Sequence, residues 1–182
     1  MELEEAIAKR HSYRGPMDTQ PVPRDHLITI VEAGIRAPSG KNAQTTEFVI
    51  IDDPAMVQQI NAMHPANKAM NQAPAMIACV IDKQPQAVYE GYNFQIEDCA
   101  AAVENMLLTI TDLGYASVWI DGWLRIDNHA AKLAQLLRLP EHKKIQIILP
   151  VGIPLEQWPP KERKPFASRA CFNTYTLNGE QH

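Results

Sequence analysis

Residues 97–114 read EDCAAAVENMLLTITDLG. Cys99, Ala102, Val103, Met106, Leu107, Ile110 and Leu113 recur at three- and four-residue intervals, which aligns them along one face of an α-helix. Glu97 and Asp98 stand at the end where the helix dipole favours negative charge. Gly114 follows the last apolar residue, where a left-handed closing residue is expected. Apolar residues spill beyond a single stripe, so the pattern predicts a central helix over 97–113, covered on more than one side.

Segments that could cover it lie on both flanks. Upstream, AMIACVI (75–81) and FVIID (48–52) read as short buried strands. Between them Asp53-Pro54 opens a helix through Ile60, and 83–91 is a polar connection into the central helix. Nearer the N-terminus, Leu3, Ala6 and Ile7 predict a helix over 2–10 that stops near Gly15-Pro16. Leu27, Ile28, Ile30, Val31, Ala33 and Ile35 predict a second helix that ends before Pro38, because the residue preceding proline avoids the α region. PSGKNAQ (38–44) is a loop by composition. Downstream, SVWI (117–120) is a strand closed by Asp121-Gly122, 129–138 is a helix, and KIQIILPVG (144–152) is the last core strand. The proline-rich stretch 154–165 and the tail 166–182 read as a segment laid across a surface. Connections too long for hairpins give a sheet covered by helices, and 182 residues suit one domain spanning 1–182.

Composition narrows the chemistry. A net charge of −4 and a pI near 5.8 argue against a nucleic-acid footprint, so any anion must be met by a local cluster of cations. No apolar run reaches the roughly 18 residues that span a bilayer, and no charged-then-apolar leader opens the chain; a cytoplasmic protein is expected. Cys79, Cys99 and Cys171 are widely spaced and form no CxxC pair, and the first two lie in apolar runs as expected of reduced core thiols. The six histidines form no HxxxH or HxH pair, so no metal is expected. GIRAPSGKN (34–42) contains Gly-Lys, but five residues separate Gly34 from Gly40, and Asn42 stands where a phosphate loop needs Ser or Thr. With no G-x-S-x-G elbow either, no catalytic side chain is singled out, and a reaction here would depend on a cofactor.

Three separated polar segments stand out: RHSYR (10–14), PSGKNAQ (38–44) and KERK (161–164). Singly, each is explained as well by a helix end, a solvated loop and a charged tail. Their order along the chain resembles the FMN-dependent nitroreductase family, which shows R-H-S-x-R after the first helix, A-P-S-x-x-N-x-Q, a central A-x-E-N-M-L-L-x-x-x-x-L-G helix, an I-D-G turn, and L-P-V-G-I-P followed by K-x-R.

The resemblance implies an α+β fold with a mixed or antiparallel sheet flanked by helices around a long central helix. It also implies a tail that extends over the partner of a homodimer. Arg10 and Ser12, with Lys161 and Arg163 from the far end of the chain, would bind FMN at its phosphate, His11 would be a further FMN-binding residue, and Arg14 would stand beside the flavin pyrimidine ring. Pro38, Ser39, Gly40 and Asn42 would reach the ring from the second subunit, Asn67 would contact the ring, and the backbone at Asp121 and Gly122 would face N5. The activity implied is hydride transfer from NADH or NADPH through FMN to a nitroaromatic or quinone. A flavin carrier or redox sensor, or a dehalogenating or oxygen-activating relative, are the alternatives. Larger members insert a helical excursion before the central helix, which is short here; Tyr89, Tyr92, Phe94 and Trp123 would then line the cleft, or serve packing and dimer contact instead.

Overall fold

The computed structural model describes residues 1–177. The part of the expected surface-lying tail at 178–182 lies outside the described residues. A three-stranded antiparallel sheet, β1 (Glu47–Ile51), β2 (Ala75–Asp82) and β3 (Lys143–Val151), carries β2 at its centre. Seven consecutive β2 residues, Ala75 to Ile81, are no more than 1 % exposed, because both faces of this strand are covered.

The alternation along β2 divides the interior. Ala75, Ile77, Cys79 and Ile81 face a cluster shared with α2 (Arg24–Ile35) and α5 (Gln95–Asp112). Met76, Ala78 and Val80 face the opposite cluster, which includes residues of α3 (Pro54–Met63), α4 (Lys68–Gln72) and α6 (His129–Leu136). A register shift between Cys79 and Val80 leaves Gln146 as an extra residue on β3, so Ile145 and Ile147 point into different clusters. The remaining helix, α1 (Leu3–Lys9), packs on α5 and buries only Ala6.

Local chemistry starts and stops these elements. Asp53 caps α3, its Oδ1 accepting from the Met56 N–H at 2.8 Å, with Pro54 in the first turn. Gly114 has φ +81°, the left-handed conformation expected of the residue closing α5. The expected stripe on α5 is buried at Cys99, Ala102, Val103, Met106, Leu107 and Ile110.

The strand expected at 117–120 is not a regular strand. Residues 116–120 run beside β3 but pair with it only at Ala116↔Gly152 and Ile120↔Ile148. Midway between those pairs in the same register stands Pro150, which has no N–H to donate. On the edge away from β3, the carbonyl of Ser117 accepts from the Tyr13 N–H at 2.9 Å, and this links the segment to RHSYR. The five-residue α4 was not expected, being too short to show helical periodicity.

Candidate functional site

Residues 10–14 leave α1 as irregular backbone, and Arg10, His11 and Tyr13 turn toward one cleft. Tyr13 fixes the segment. Its side chain is 1 % exposed, its ring lies 5.4 Å from that of Trp158, and its hydroxyl accepts from the Glu156 N–H at 3.3 Å. Sequence reasoning passed over Tyr13; the signal was a large aromatic inside a run of cations.

Beside this segment opens a cleft of about 570 Å³, walled by residues 9–11 and Tyr13, the C-terminal half of α5, residues 114–117, Pro154 and residues 156–160; Ser12 is not in the wall. Leu107, Ile110 and Trp158 give it an apolar floor, and Lys9 and Arg10 bring positive charge. The Arg10 Nε–H lies 3.2 Å from a Glu104 carboxylate oxygen, which leaves the rest of the guanidinium fork for another acceptor. Two polar atoms of the wall are buried without a partner among the described residues, His11 Nε2 and Ser117 Oγ. The His11 Nδ1–H donates to the Lys9 carbonyl at 2.8 Å, so Nε2 of the neutral ring is an acceptor. Buried polar atoms are almost always paired, and two orphans in one wall mark a place that awaits a ligand. The Arg10 guanidinium and the Ser117 hydroxyl fit an anionic cofactor with an apolar body, and His11 Nε2 fits a donor group on that body.

The other expected residues fall into two groups. Ser12 is half-buried next to Arg10, whereas Arg14 is exposed. Pro159 and Pro160 line the cleft, but Lys161 and Arg163 beyond them are exposed and stand outside its wall. Asn67 caps α4, its Oδ1 accepting from the Met70 N–H at 3.2 Å, so its NH₂ is the group left for a ligand. Asp121 is held bidentately by Arg125 at 2.7 and 2.8 Å, and this hydrogen bond raises the guanidinium pKa. Next to it, the Trp123 indole is sandwiched between His64 at 4.9 Å and His129 at 4.2 Å, and burial pushes the His64 imidazole below its ordinary pKa.

Pro38, Ser39, Gly40 and Asn42 form a loop docked on the N-terminal end of α5. The buried carboxylate of Asp98 accepts from the Gly40 N–H at 2.9 Å and from the Thr45 hydroxyl at 2.8 Å. Lys41, Asn42 and Gln44 all have φ between 49° and 56°, a strained conformation that clusters at functional sites. Asp98→Ala leaves both donors unpaired and is expected to cost about 1–3 kcal/mol, read as a lower midpoint in thermal or urea unfolding. Asp98 and Glu104 are six positions apart, so the loop and Arg10 meet α5 about 9 Å apart and about a third of a turn apart around its axis. One protomer does not bring them together.

Fold and cleft together describe an α+β protein shaped for an anionic cofactor. The chain belongs to the nitroreductase family, whose family model matches residues 7–64 and 54–153. It is 28 % identical over 156 residues to a protein of Methanothermobacter thermautotrophicus provisionally named NADH dehydrogenase/NAD(P)H nitroreductase, covering 86 % of this chain and 79 % of the relative. A crystal structure of a similarly named protein from Bacteroides thetaiotaomicron superposes with a TM-score of 0.80 at 25 % identity, covering 95 % of this chain and 98 % of that one. A nitroreductase with bound FMN from Bacteroides fragilis gives 0.73 at 26 % identity, covering 94 % and 98 %. The expected nitroreductase-like fold is therefore present, with its described strands antiparallel.

Proposed function

We propose that this chain is an FMN-dependent NAD(P)H oxidoreductase, a single domain over 1–182 working as a cytoplasmic homodimer on electron-poor acceptors such as nitroaromatics or quinones. The observation that carries the reading is the cleft at Arg10, with two buried unpartnered polar atoms in a wall that also bears cations. Relatives named NAD(P)H nitroreductase, and a neighbour solved with FMN, support the cofactor and the electron donor.

Bound FMN would supply the hydride chemistry, accepting from NAD(P)H and donating to the acceptor in alternation. The chain's own residues then bind and orient. Arg10 and Ser12 would hold the phosphate end, with His11 beside them presenting Nε2 as an acceptor to the cofactor, and Lys161 and Arg163 would join them when the exposed tail closes over the cleft. A phosphate dianion leaving water needs several charge-assisted donors, which a guanidinium supplies in pairs. Arg14 would place positive charge near the pyrimidine edge of the ring, and Asn67 would offer its NH₂ there. The backbone at Asp121 and Gly122 would present N–H to the reacting end; the Asp121 carboxylate is already engaged by Arg125.

A shared active site accounts for the separation within one protomer. Pro38, Ser39, Gly40 and Asn42 stand away from Arg10 on α5 and would complete the partner's site instead. Among the described residues no helix is long and apolar enough to cross a membrane.

Purified protein mixed with NADH or NADPH under nitrogen is expected to lose its yellow colour rapidly and to regain it on addition of menadione. Persistent colour would favour a flavin carrier, and a colourless polypeptide that takes up no FMN would overturn the reading.

A further inference from the structure

A second cavity, of about 620 Å³, lies where α3 and α4 meet the chain at residues 19–21, and it shares no residue with the cleft at Arg10. Its size falls within the range of small-molecule sites. Asp18 anchors residues 19–21: its N–H donates to the Ile153 carbonyl at 2.9 Å, and its carboxylate accepts from the Gln20 N–H at 3.0 Å.

The wall is short of donors. Pro21, Pro54, Pro65 and Pro74 contribute to it, and a proline has no backbone N–H to offer. Two asparagines bring amides from different helices, Asn61 from α3 and Asn71 from α4, and each directs its NH₂ to a carbonyl of the wall itself. The Asn71 Nδ2–H donates to the Pro65 carbonyl at 2.7 Å, and the Asn61 Nδ2–H donates to the Ala73 carbonyl at 3.5 Å. Turning either amide over would set oxygen against oxygen, so the group each leaves over is an acceptor. Both Oδ1 atoms are buried without a partner among the described residues. An unmet buried acceptor is destabilising, and two in one wall call for a donor.

Charge narrows the choice of donor. Among the described residues Asp52 is the one charged side chain of the wall, and no Lys, Arg or His lines it. Arg24, which stands outside the wall, donates to both Asp52 oxygens, and a carboxylate keeps further lone pairs for a second partner. Val57, Ala62 and the proline rings add apolar surface beside these acceptors.

We propose that this cavity binds a primary alkylammonium ion, whose head donates to Asn61 Oδ1 and Asn71 Oδ1 under the counter-charge of Asp52 and whose carbon chain lies against the apolar wall. The three N–H donors of such a head match the two amide oxygens and the carboxylate in number. The inference does not depend on the flavin; Asn67, which the flavin reading uses, is not in this wall.

Calorimetric titration of the protein as purified with n-butylammonium chloride, at constant ionic strength, tests the site. The dissociation constant expected is on the order of 1 mM, within reach of a ligand of so few atoms. Tetramethylammonium carries the charge without an N–H and is expected to bind at least about tenfold more weakly. N-acetyl-lysine methylamide presents the same head from a peptide backbone; tighter binding than butylammonium assigns the site to a protein lysine, and weaker binding assigns it to a free amine. Asn61→Leu removes one acceptor and is expected to weaken butylammonium about tenfold. Asp52→Asn removes the charge, is expected to weaken it about three- to tenfold, and gives a second reading should Asn61→Leu fail to fold. Neither residue belongs to the proposed flavin site, so reduction of bound flavin by NADH or NADPH is expected to be unchanged in both. Equal affinity for tetramethylammonium, no binding of butylammonium at about twenty times the expected constant, or undiminished binding in either folded variant would overturn the site.

Discussion

Arg10→Ala is expected to yield a folded protein that purifies without its flavin. Arg10 lies at the end of α1, a helix that buries only Ala6, so the truncation removes little from the core. Its ion-pair partner Glu104 is 50 % exposed at the side chain and is left in contact with water, not stranded in the interior. What is lost is the guanidinium fork. Hydrogen bonds to a charged group contribute about 1.5–3 kcal/mol each, so two of them toward a phosphate amount to roughly a 10²- to 10⁴-fold weakening. Fluorescence titration of the apoprotein with FMN measures this directly. Arg10→Lys keeps the charge but not the paired donors and is expected to fall between parent and Arg10→Ala. Full FMN occupancy in Arg10→Ala would remove the clamp from the description of this site.

The elements legible from sequence are those whose determinants lie close together along the chain. The stripe on α5 repeats over more than four turns, and β2 is a single apolar run, so both stood out before any contact was known. Residues 116–120 look like a strand by composition, but Pro150, distant in sequence, stands opposite their middle and breaks the ladder. Such a loss shows only once the register is known. The cations of RHSYR were equally plain, yet the features that make a cleft of them are tertiary: Tyr13 against Trp158, Ser117 with its hydroxyl unpaired, and Asp98 gathering the loop. Lys41 and Gln44 give no local hint of left-handed backbone; Asn42 alone is of a type that favours it. The meeting of Lys161 and Arg163 with Arg10 rests on the family resemblance, since both are exposed in the single chain.

Ile77→Ala is expected to be the most destabilising of the single changes considered. Ile77 is 0 % exposed at the centre of β2 and shares its cluster with Val103, Met106 and Ile110 of α5. Truncation there removes apolar burial and leaves a cavity that β2, bonded to strands on both edges, cannot close by shifting. The cost is about 2–5 kcal/mol, a large part of the 5–15 kcal/mol typical of a whole domain, and about 3 kcal/mol corresponds to a fall in melting temperature of about 6–12 °C. Ile77→Val removes one methylene and is expected to cost about 0.5–1.5 kcal/mol; Ile28→Ala, at a residue 51 % exposed, is expected to change stability by less than about 0.5 kcal/mol. The consequence reaches the site through α5, which carries both Asp98 and Glu104 and so places the loop and Arg10 relative to each other. Because FMN binds the folded state alone, FMN at 100 times the parent's dissociation constant would restore about 2.7 kcal/mol to Ile77→Ala but less than about 0.5 kcal/mol to Arg10→Ala, whose defect lies in binding itself. Melting curves of the two variants with and without FMN therefore separate a core that has loosened from a clamp that has been removed.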